Sequence, residues 1–215
     1  MLYWSVREVF SMDIARFREK FKDHKPALQD CRGEFAVLVP LVDGPDGLSL
    51  LYEVRSGALR HHASEVCFPG GRMEDGEDAV QCALRETQEE LGINAEHIEI
   101  LGKLDYLHLR SETLMHPVLA KLDHTALQTL RCNPEEVQTT FLVPITWLQD
   151  HPPKIYTYEL KPMIGDDFPY ELVQTPPAYR WSAGRMEVPV YEGLPYPLWG
   201  LTGRITEHLM RCMTE

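Results

Sequence analysis

The chain has 215 residues and a formal net charge of -12, from 21 lysines and arginines against 33 aspartates and glutamates. A chain this acidic disfavours duplex nucleic acid and anionic membranes as partners, because both bind basic surfaces. No apolar run reaches the length of a membrane span, and "MLYWSVREVF" carries charge where a secretory signal needs an apolar core. The five cysteines include no Cys-x-x-Cys pair. The sequence therefore predicts a cytoplasmic protein with reduced thiols.

Short helical and strand patterns alternate through the first half of the chain. Apolar residues at helical intervals predict an amphipathic helix from Met12 to about Lys22. The apolar run "FAVLVPLV" predicts a buried strand, and "GPDG" predicts a turn into a second strand at "LSLLYEVR". A loop rich in His and Arg, "SGALRHHASE", comes next. A second helix is predicted from about Glu77 to Leu91.

The second half of the chain has mainly strand patterns and ends in a helical one. Strands are predicted at "IEILGKLDYLHL", at "MHPVLAKL", at "TTFLVPITWL", which runs into a short helix near Trp147, and at "HPPKIYTYELKP". An amphipathic helix is predicted from about Thr202. This mixture predicts an α+β or α/β fold in one domain, 1–215, with a core of about 34–150 and a C-terminal extension, 151–215, that packs on the core.

Acidic side chains crowd one face of the second predicted helix. At about 100° per residue, Glu86, Glu89 and Glu90 fall in one arc. The adjacent arc, which we expect to face the core, comprises Val80, Leu84, Thr87 and Leu91. Like charges this close repel one another unless a cation compensates them. Clustered carboxylates suit Mg²⁺ or Mn²⁺, so the arc predicts a divalent metal site.

Taken alone, an acidic run of this kind is more typical of a salt-bridged surface helix. The spacing of the whole segment favours the metal site, because it resembles the signature of the Nudix hydrolases. The matching residues are Gly71, Glu77, Arg85, Glu86, Glu89, Glu90, Leu91, Gly92 and Ile93. Thr87 stands where the signature has an aliphatic residue. Because Thr is β-branched and close to Val in size, we expect the core contact to be kept.

The resemblance to the Nudix hydrolases implies a fold, a reaction and a set of metal ligands. The fold is a mixed β-sheet between helices, an α/β/α sandwich in which the signature forms a loop–helix–loop catalytic motif. The reaction is hydrolysis of a nucleoside diphosphate linked to another group. Glu86 and Glu90 are implied as the principal metal ligands, with Glu89 assisting and the carbonyl of Gly71 joining them.

Further roles follow from the same resemblance. Arg85 and Glu77 are implied to pair and so to hold the catalytic helix in place. The general base varies among such enzymes and stays open here. Its candidates are Glu86, Glu89, and Glu135 and Glu136 of "NPEEV". For the last two, a solvated turn is an equally good interpretation.

The residues before the acidic helix narrow the choice of substrate. Leu51, Arg55, Ser56, Arg60, Phe68, Pro69, Gly70 and Gly71 match the motif of the coenzyme A diphosphatase subgroup in register. The departures are Tyr52, Glu53 where the motif has Thr, and Ser64 where it has Gly. If that Gly needs a positive φ, Ser64 strains or reshapes the loop. Arg55 and Arg60 are fork-shaped donors suited to phosphate oxygens. The side-chain-free pair Gly70 and Gly71 lets the backbone approach a phosphate or metal.

Other functions remain open on sequence grounds. ADP-ribose, a nucleoside diphosphate sugar or an oxidised nucleotide could replace coenzyme A as the substrate. A non-catalytic nucleotide-sensing module is disfavoured, because such modules usually lose the carboxylates that this chain keeps. A helper in RNA metabolism is disfavoured by the absence of a basic stripe. The oligomeric state stays open, with a homodimer among the alternatives.

Overall fold

A computed structural model describes residues 13–109 and 112–214. The chain divides into two compact units between Cys31 and Arg32. The first unit contains α1, Ile14–Phe21, which begins after Asp13, whose side chain accepts a hydrogen bond from the backbone N–H of Arg16 at 3.0 Å. The predicted N-terminal helix is therefore confirmed over this range, although its expected start at Met12 lies outside the described residues. Its apolar side chains are exposed.

The second unit is organised around a mixed eight-stranded sheet in the order β3-β2-β1-β7-β5. Its strands are β1 Gly33–Gly44, β2 Gly47–Arg55, β3 Val66–Cys67, β4 Gly70–Arg72, β5 Ile98–Lys103, β6 Leu107–Leu109, β7 Thr113–Leu122 and β8 Val137–Pro144. Strands β4, β6 and β8 pair with β1, β7 and β2, respectively. Strand β1 pairs with β7 in parallel and with β2 antiparallel through the predicted turn at residues 44–47.

Helices cover both faces of this sheet. They are α2 Ala79–Leu91, α3 His124–Thr129, α4 Ile145–Asp150 and α5 Gly200–Cys212, and a 3₁₀ turn spans Ala95–His97. Successive strand residues point to opposite faces. Ala36 and Leu38 accordingly join an apolar cluster with α2, while Val37 and Val39 join a second cluster with α5. The sheet lies between the two helices, which confirms the predicted α/β/α arrangement.

The C-terminal residues form a smaller three-stranded sheet and α5. The strands are β9 Lys154–Leu160, β10 Gly184–Tyr191 and β11 Leu198–Trp199. The hydroxyl groups of Thr206 and Tyr52 are hydrogen-bonded at 2.9 Å, and the hydroxyl of Thr202 donates to the carbonyl of Val66 at 2.9 Å. These bonds join α5 to β2 and β3. Within the described ranges, no helix has both the length and the hydropathy needed to cross a membrane.

The catalytic-motif helix begins two residues later than predicted. Asp78 caps it, because its side chain accepts from the backbone N–H groups of Val80 and Gln81, and the Gln81 side chain accepts from the Asp78 N–H in return. This reciprocal pair excludes Glu77 from the helix. Gly92 ends the helix in the left-handed conformation, with φ of 68°.

The buried face of α2 differs in part from the predicted one. Thr87 and Leu91 are buried as expected, whereas Val80 and Leu84 are only partly buried against the same cluster. The remaining buried residues of the helix are Ala79, Cys82, Ala83 and Glu90. Burial of an acid beside the apolar stripe needs tertiary partners for its oxygens, and these determine the geometry of the candidate active site.

Candidate active site

The glycine pair that precedes the acidic helix holds two of its carboxylates. The backbone N–H of Gly70 donates to Oε2 of Glu90 at 2.8 Å. A Cβ atom added to Gly71 would lie 2.2 Å from Oε1 of Glu86, closer than any real contact allows. One added to Gly70 would meet the carbonyl oxygen of Ala36 at 2.3 Å. Gly70 therefore leaves no room for a side chain beside the backbone of β1, whereas a side chain at Gly71 would displace the Glu86 carboxylate.

Arg85 is the central cation of the site. Its guanidinium donates from Nε and NH2 to the two carboxylate oxygens of Glu77, at 2.8 and 3.0 Å. This bidentate pair was predicted, and it holds the pKa of Glu77 down at about 2. NH1 also donates to Oε1 of Glu86 at 2.8 Å, a contact that the sequence did not predict. NH2 donates to the carbonyl of Arg72 at 3.1 Å, so Arg85 ties the loop to the helix.

Burial and mutual repulsion raise the pKa values of Glu86 and Glu90 on α2. For Glu90, which is 3% exposed, burial raises the pKa, repulsion from Glu53 raises it further, and the Gly70 N–H opposes both. Burial also raises the pKa of Glu86, against the pull of Arg85. Glu89 is more exposed, and its Oε2 lies 3.4 Å from NH1 of Arg85. Acidic side chains are thus concentrated where Glu86 and Glu90 meet the glycine pair, and burial there disfavours their ionised forms.

Glu53 is a site residue whose role the sequence reasoning missed. It lies on β2 with 0% of its surface exposed, and the thiol of Cys67 donates to its Oε1 at 3.0 Å. Its Oε2 has no hydrogen-bond partner among the described residues. Burial raises the pKa of this carboxyl. The available signal was an acid inside the otherwise apolar strand "LSLLYEVR", which we noted as a departure from a motif and not as a buried charge.

The structure separates the two arginines that were predicted to bind substrate. Arg55 lies two residues beyond Glu53 on β2, past an irregularity in the pairing with β8, and its positive charge lowers the pKa of Glu53 against the effect of burial. Its buried Nε has no hydrogen-bond partner in the described part of the chain. Arg60 is exposed on the loop between β2 and β3. On this loop, Ser64 has φ of 62°, so the left-handed conformation expected of the motif's glycine is present.

The acids of the later loop differ in their relation to the site. The charge of Glu136 raises the pKa values of Glu53, Glu86 and Glu90. The backbone N–H of Asn133 donates to the carbonyl of Glu90 at 2.8 Å, which fixes this loop at the end of α2. Glu135 is exposed, whereas Glu136 is half-buried. Its burial and its charge coupling to the cluster favour Glu136 over Glu135 as the acid of this loop that lies nearer the cluster.

A comparison with known protein families identifies the family to which this site belongs. Residues 34–162 match the family model for the NUDIX domain. The chain belongs to the Nudix family. This match covers the glycine pair, the acidic helix and strand β2, which carries Glu53 and Arg55.

Nudix relatives from animals share much of the chain. It is 36% identical over 180 residues to the mitochondrial coenzyme A diphosphatase NUDT8 of Mus musculus, covering 83% of this chain and 77% of the relative. It is 35% identical over 136 residues to the peroxisomal coenzyme A diphosphatase NUDT7 of Mus musculus, covering 63% and 56%. Nudix hydrolase 3 of Caenorhabditis elegans is 44% identical over 120 residues, covering 54% and 49%. The chain therefore spans about half the length of the nematode relative.

The donor set of this Nudix site fits a hard divalent cation. The available oxygens are carboxylates, one of them buried with an unpartnered atom, beside a loop whose backbone is bare at Gly71. Within the described residues, no group of three or more His, Cys, Asp or Glu side chains is positioned to hold a metal ion. Arg85 also occupies one oxygen of Glu86. A cation bound by these carboxylates would therefore require their side chains to rearrange.

Proposed function

We propose that this Nudix protein is a metal-dependent hydrolase that cleaves the diphosphate of coenzyme A, or of one of its derivatives. The products would be 4′-phosphopantetheine and adenosine 3′,5′-bisphosphate. The observation that carries the proposal is the meeting of the Glu86 and Glu90 carboxylates at Gly70 and Gly71. Carboxylates that converge on the glycine pair, with an Arg55 nitrogen on β2 that has no partner among the described residues, suit a phosphate-bearing substrate with its cation.

The cation is proposed to be Mg²⁺ or Mn²⁺, held by Glu86 and Glu90 with Glu89 and the Gly71 carbonyl in support. When bound, such an ion neutralises phosphate oxygens and makes a coordinated water more acidic. Arg85 orients Glu86 and anchors the loop through Glu77. Glu86, Glu89, Glu135 and Glu136 are retained as candidates for the general base, and the charge coupling of Glu136 to Glu86 favours it over Glu135.

The choice of coenzyme A is supported by the subgroup motif and by the names of the mouse relatives, which are coenzyme A diphosphatases. Arg55 is proposed to bind phosphate oxygens through its buried, unpartnered Nε, and Arg60 to bind them from the mobile end of a long exposed side chain. The partner is then a small nucleotide and not a nucleic acid or membrane. A cytoplasmic location and a homodimeric state are kept as predictions.

One incubation tests the proposal. The purified protein, coenzyme A and Mg²⁺ are combined in ¹⁸O-labelled water, and mass spectrometry follows the products. We expect adenosine 3′,5′-bisphosphate and 4′-phosphopantetheine, with the label in one of them. The E86Q variant serves as the inactive control. Cleavage of ADP-ribose, a nucleoside diphosphate sugar or an oxidised nucleotide in clear preference to coenzyme A would overturn the substrate while leaving the Nudix reaction. The absence of turnover on all of them would favour a nucleotide-sensing module.

A further inference from the structure

A buried acid on β2 lies beside the proposed metal site without having been assigned a role. Glu53 is enclosed on every side, and one of its oxygens accepts from the Cys67 thiol at 3.0 Å. The other oxygen, Oε2, has no hydrogen-bond partner among the described residues. Whether the carboxyl is ionised or protonated, an unpartnered oxygen in the interior is unfavourable. A bound species that contacts Oε2 would remove this cost.

The charges that surround Glu53 favour a cation as that species. The carboxylates of Glu86, Glu90 and Glu136 repel it, and the guanidinium of Arg55 attracts it. The other arginine of the site, Arg85, is already held by Glu77 and Glu86. Carboxyl groups therefore outnumber arginines around Glu53, and a divalent ion would compensate the carboxylates once they are ionised.

We propose that Oε2 of Glu53 is an additional ligand of the divalent cation that Glu86 and Glu90 hold. The inference rests on the proposed metal-dependent function. The coenzyme A diphosphatase motif has Thr at this position, so the extra carboxylate belongs to this chain's own version of the site. A carboxylate ligand is negatively charged and binds a hard divalent cation strongly. A threonine hydroxyl is neutral and binds such a cation more weakly. Glu53 should therefore raise metal affinity above the level given by the motif residues.

The test measures metal binding directly, without turnover. Mn²⁺ is titrated into the protein, and free Mn²⁺ is followed by electron paramagnetic resonance. Wild type is compared with E53Q, with E86Q, and with E99Q as the matched control, because Glu99 is exposed on β5. Loss of an outer-shell partner of a metal ligand weakens affinity by about 10- to 100-fold, and loss of a direct ligand should cost at least as much. We expect that loss in E53Q and no change in E99Q.

Two outcomes separate this inference from the proposed function. If E86Q loses Mn²⁺ binding while E53Q binds as wild type does, Glu53 is not a ligand and the metal-dependent function stands. If wild type itself binds no Mn²⁺, the proposed function fails. Because E53Q leaves a buried amide, E53T is measured in parallel. Threonine suits a strand and is the residue of the subgroup motif, so a folded E53T with wild-type affinity would equally overturn the inference.

Discussion

The backbone N–H of Gly70 donates a hydrogen bond of 2.8 Å to Oε2 of Glu90, across twenty residues of chain. This bond joins strand β4, which pairs with β1, to the last turn of α2. Because the amide is a fixed dipole in the backbone, it holds one oxygen of a buried carboxylate in place. The other oxygen of that carboxylate is then available to a cation or a substrate.

Replacing Glu86 by Gln should reduce turnover by at least about 100-fold, the scale of losing a general acid–base group. The change keeps the size of the side chain and removes the charge that meets the cation. Steady-state kcat with coenzyme A and Mg²⁺ measures the effect, with E99Q as the exposed control. Turnover of the wild type that persists in excess chelator would contradict the metal dependence.

G71A should impair the site by displacing Glu86. The new Cβ would lie 2.2 Å from Oε1 of Glu86, so the carboxylate must move by more than an ångström. A misplacement of about 1 Å can cost roughly 100-fold in rate. The matched control is G102A, because a Cβ there meets nothing within 4 Å. The variants are compared by kcat and by Mn²⁺ affinity, and equal values in G71A and wild type would exclude the proposed position of Glu86.

Removal of Arg85 should lower thermal stability and metal affinity together. R85A breaks the bidentate pair with Glu77 and leaves Glu86 without its cationic neighbour. The melting temperature of R85A is expected to fall by several degrees at neutral pH. Unchanged stability with lost activity would instead assign Arg85 a direct part in the reaction.

The stability difference between wild type and R85A should depend on pH with a defined sign. Arg85 lowers the pKa of Glu77 from 4.5 to about 2. A lowered carboxyl pKa stabilises the folded state above the unfolded-state value, and that stabilisation is lost as pH falls through the folded-state value. Denaturant unfolding at pH values from 5 down to 2 measures the free energy of unfolding of both proteins. The difference between wild type and R85A should become smaller as the pH falls.

Metal binding should tighten as pH rises. Burial raises the pKa values of Glu86 and Glu90 above 4.5 in the metal-free protein, so the folded state keeps protons that the unfolded chain releases. The stability of the metal-free folded state therefore falls as pH rises above about 4.5. A cation that replaces those protons restores that stability. Calorimetric titration of Mn²⁺ in buffers of different ionisation enthalpy should detect the released protons. Affinity that is independent of pH would contradict this linkage.

The roles of Arg55 and Arg60 can be distinguished with two substrates. A charge-assisted hydrogen bond contributes roughly 1.5–3 kcal/mol, or about ten- to a hundred-fold. An arginine that binds the 3′-phosphate should, when replaced by Ala, lose that factor in kcat/KM for coenzyme A and almost nothing for dephospho-coenzyme A. Replacement of an arginine that binds the diphosphate should reduce kcat/KM by that factor for both substrates. Replacement by Lys should rescue only in part, because the bidentate fork is lost.

Sequence reasoning predicted the longer elements and missed the shortest ones for a physical reason. The continuous apolar run "FAVLVPLV" predicted a buried strand, and β1 lies there. Strands β3, β4 and β11 have two or three residues each, too few for any sequence pattern. Strand β10 was not predicted, and it contains Pro189, which is unfavourable within a strand. Pairing with distant strands, and not local propensity, creates these elements.

The sequence alone determined the spacing of the carboxylates, because the 3.6-residue period of a helix is a local property and places Glu86, Glu89 and Glu90 on adjoining positions of its surface. The pairing of Glu77 with Arg85 was implied by the resemblance to the Nudix hydrolases, and the structure contains it. The tertiary structure decided which acids are enclosed. Glu90 is buried because Gly70 meets it from another strand, and Glu53 reaches the same region from β2. These contacts join residues that are twenty or more positions apart in the chain. No local sequence pattern therefore encodes the burial of the carboxylates that results.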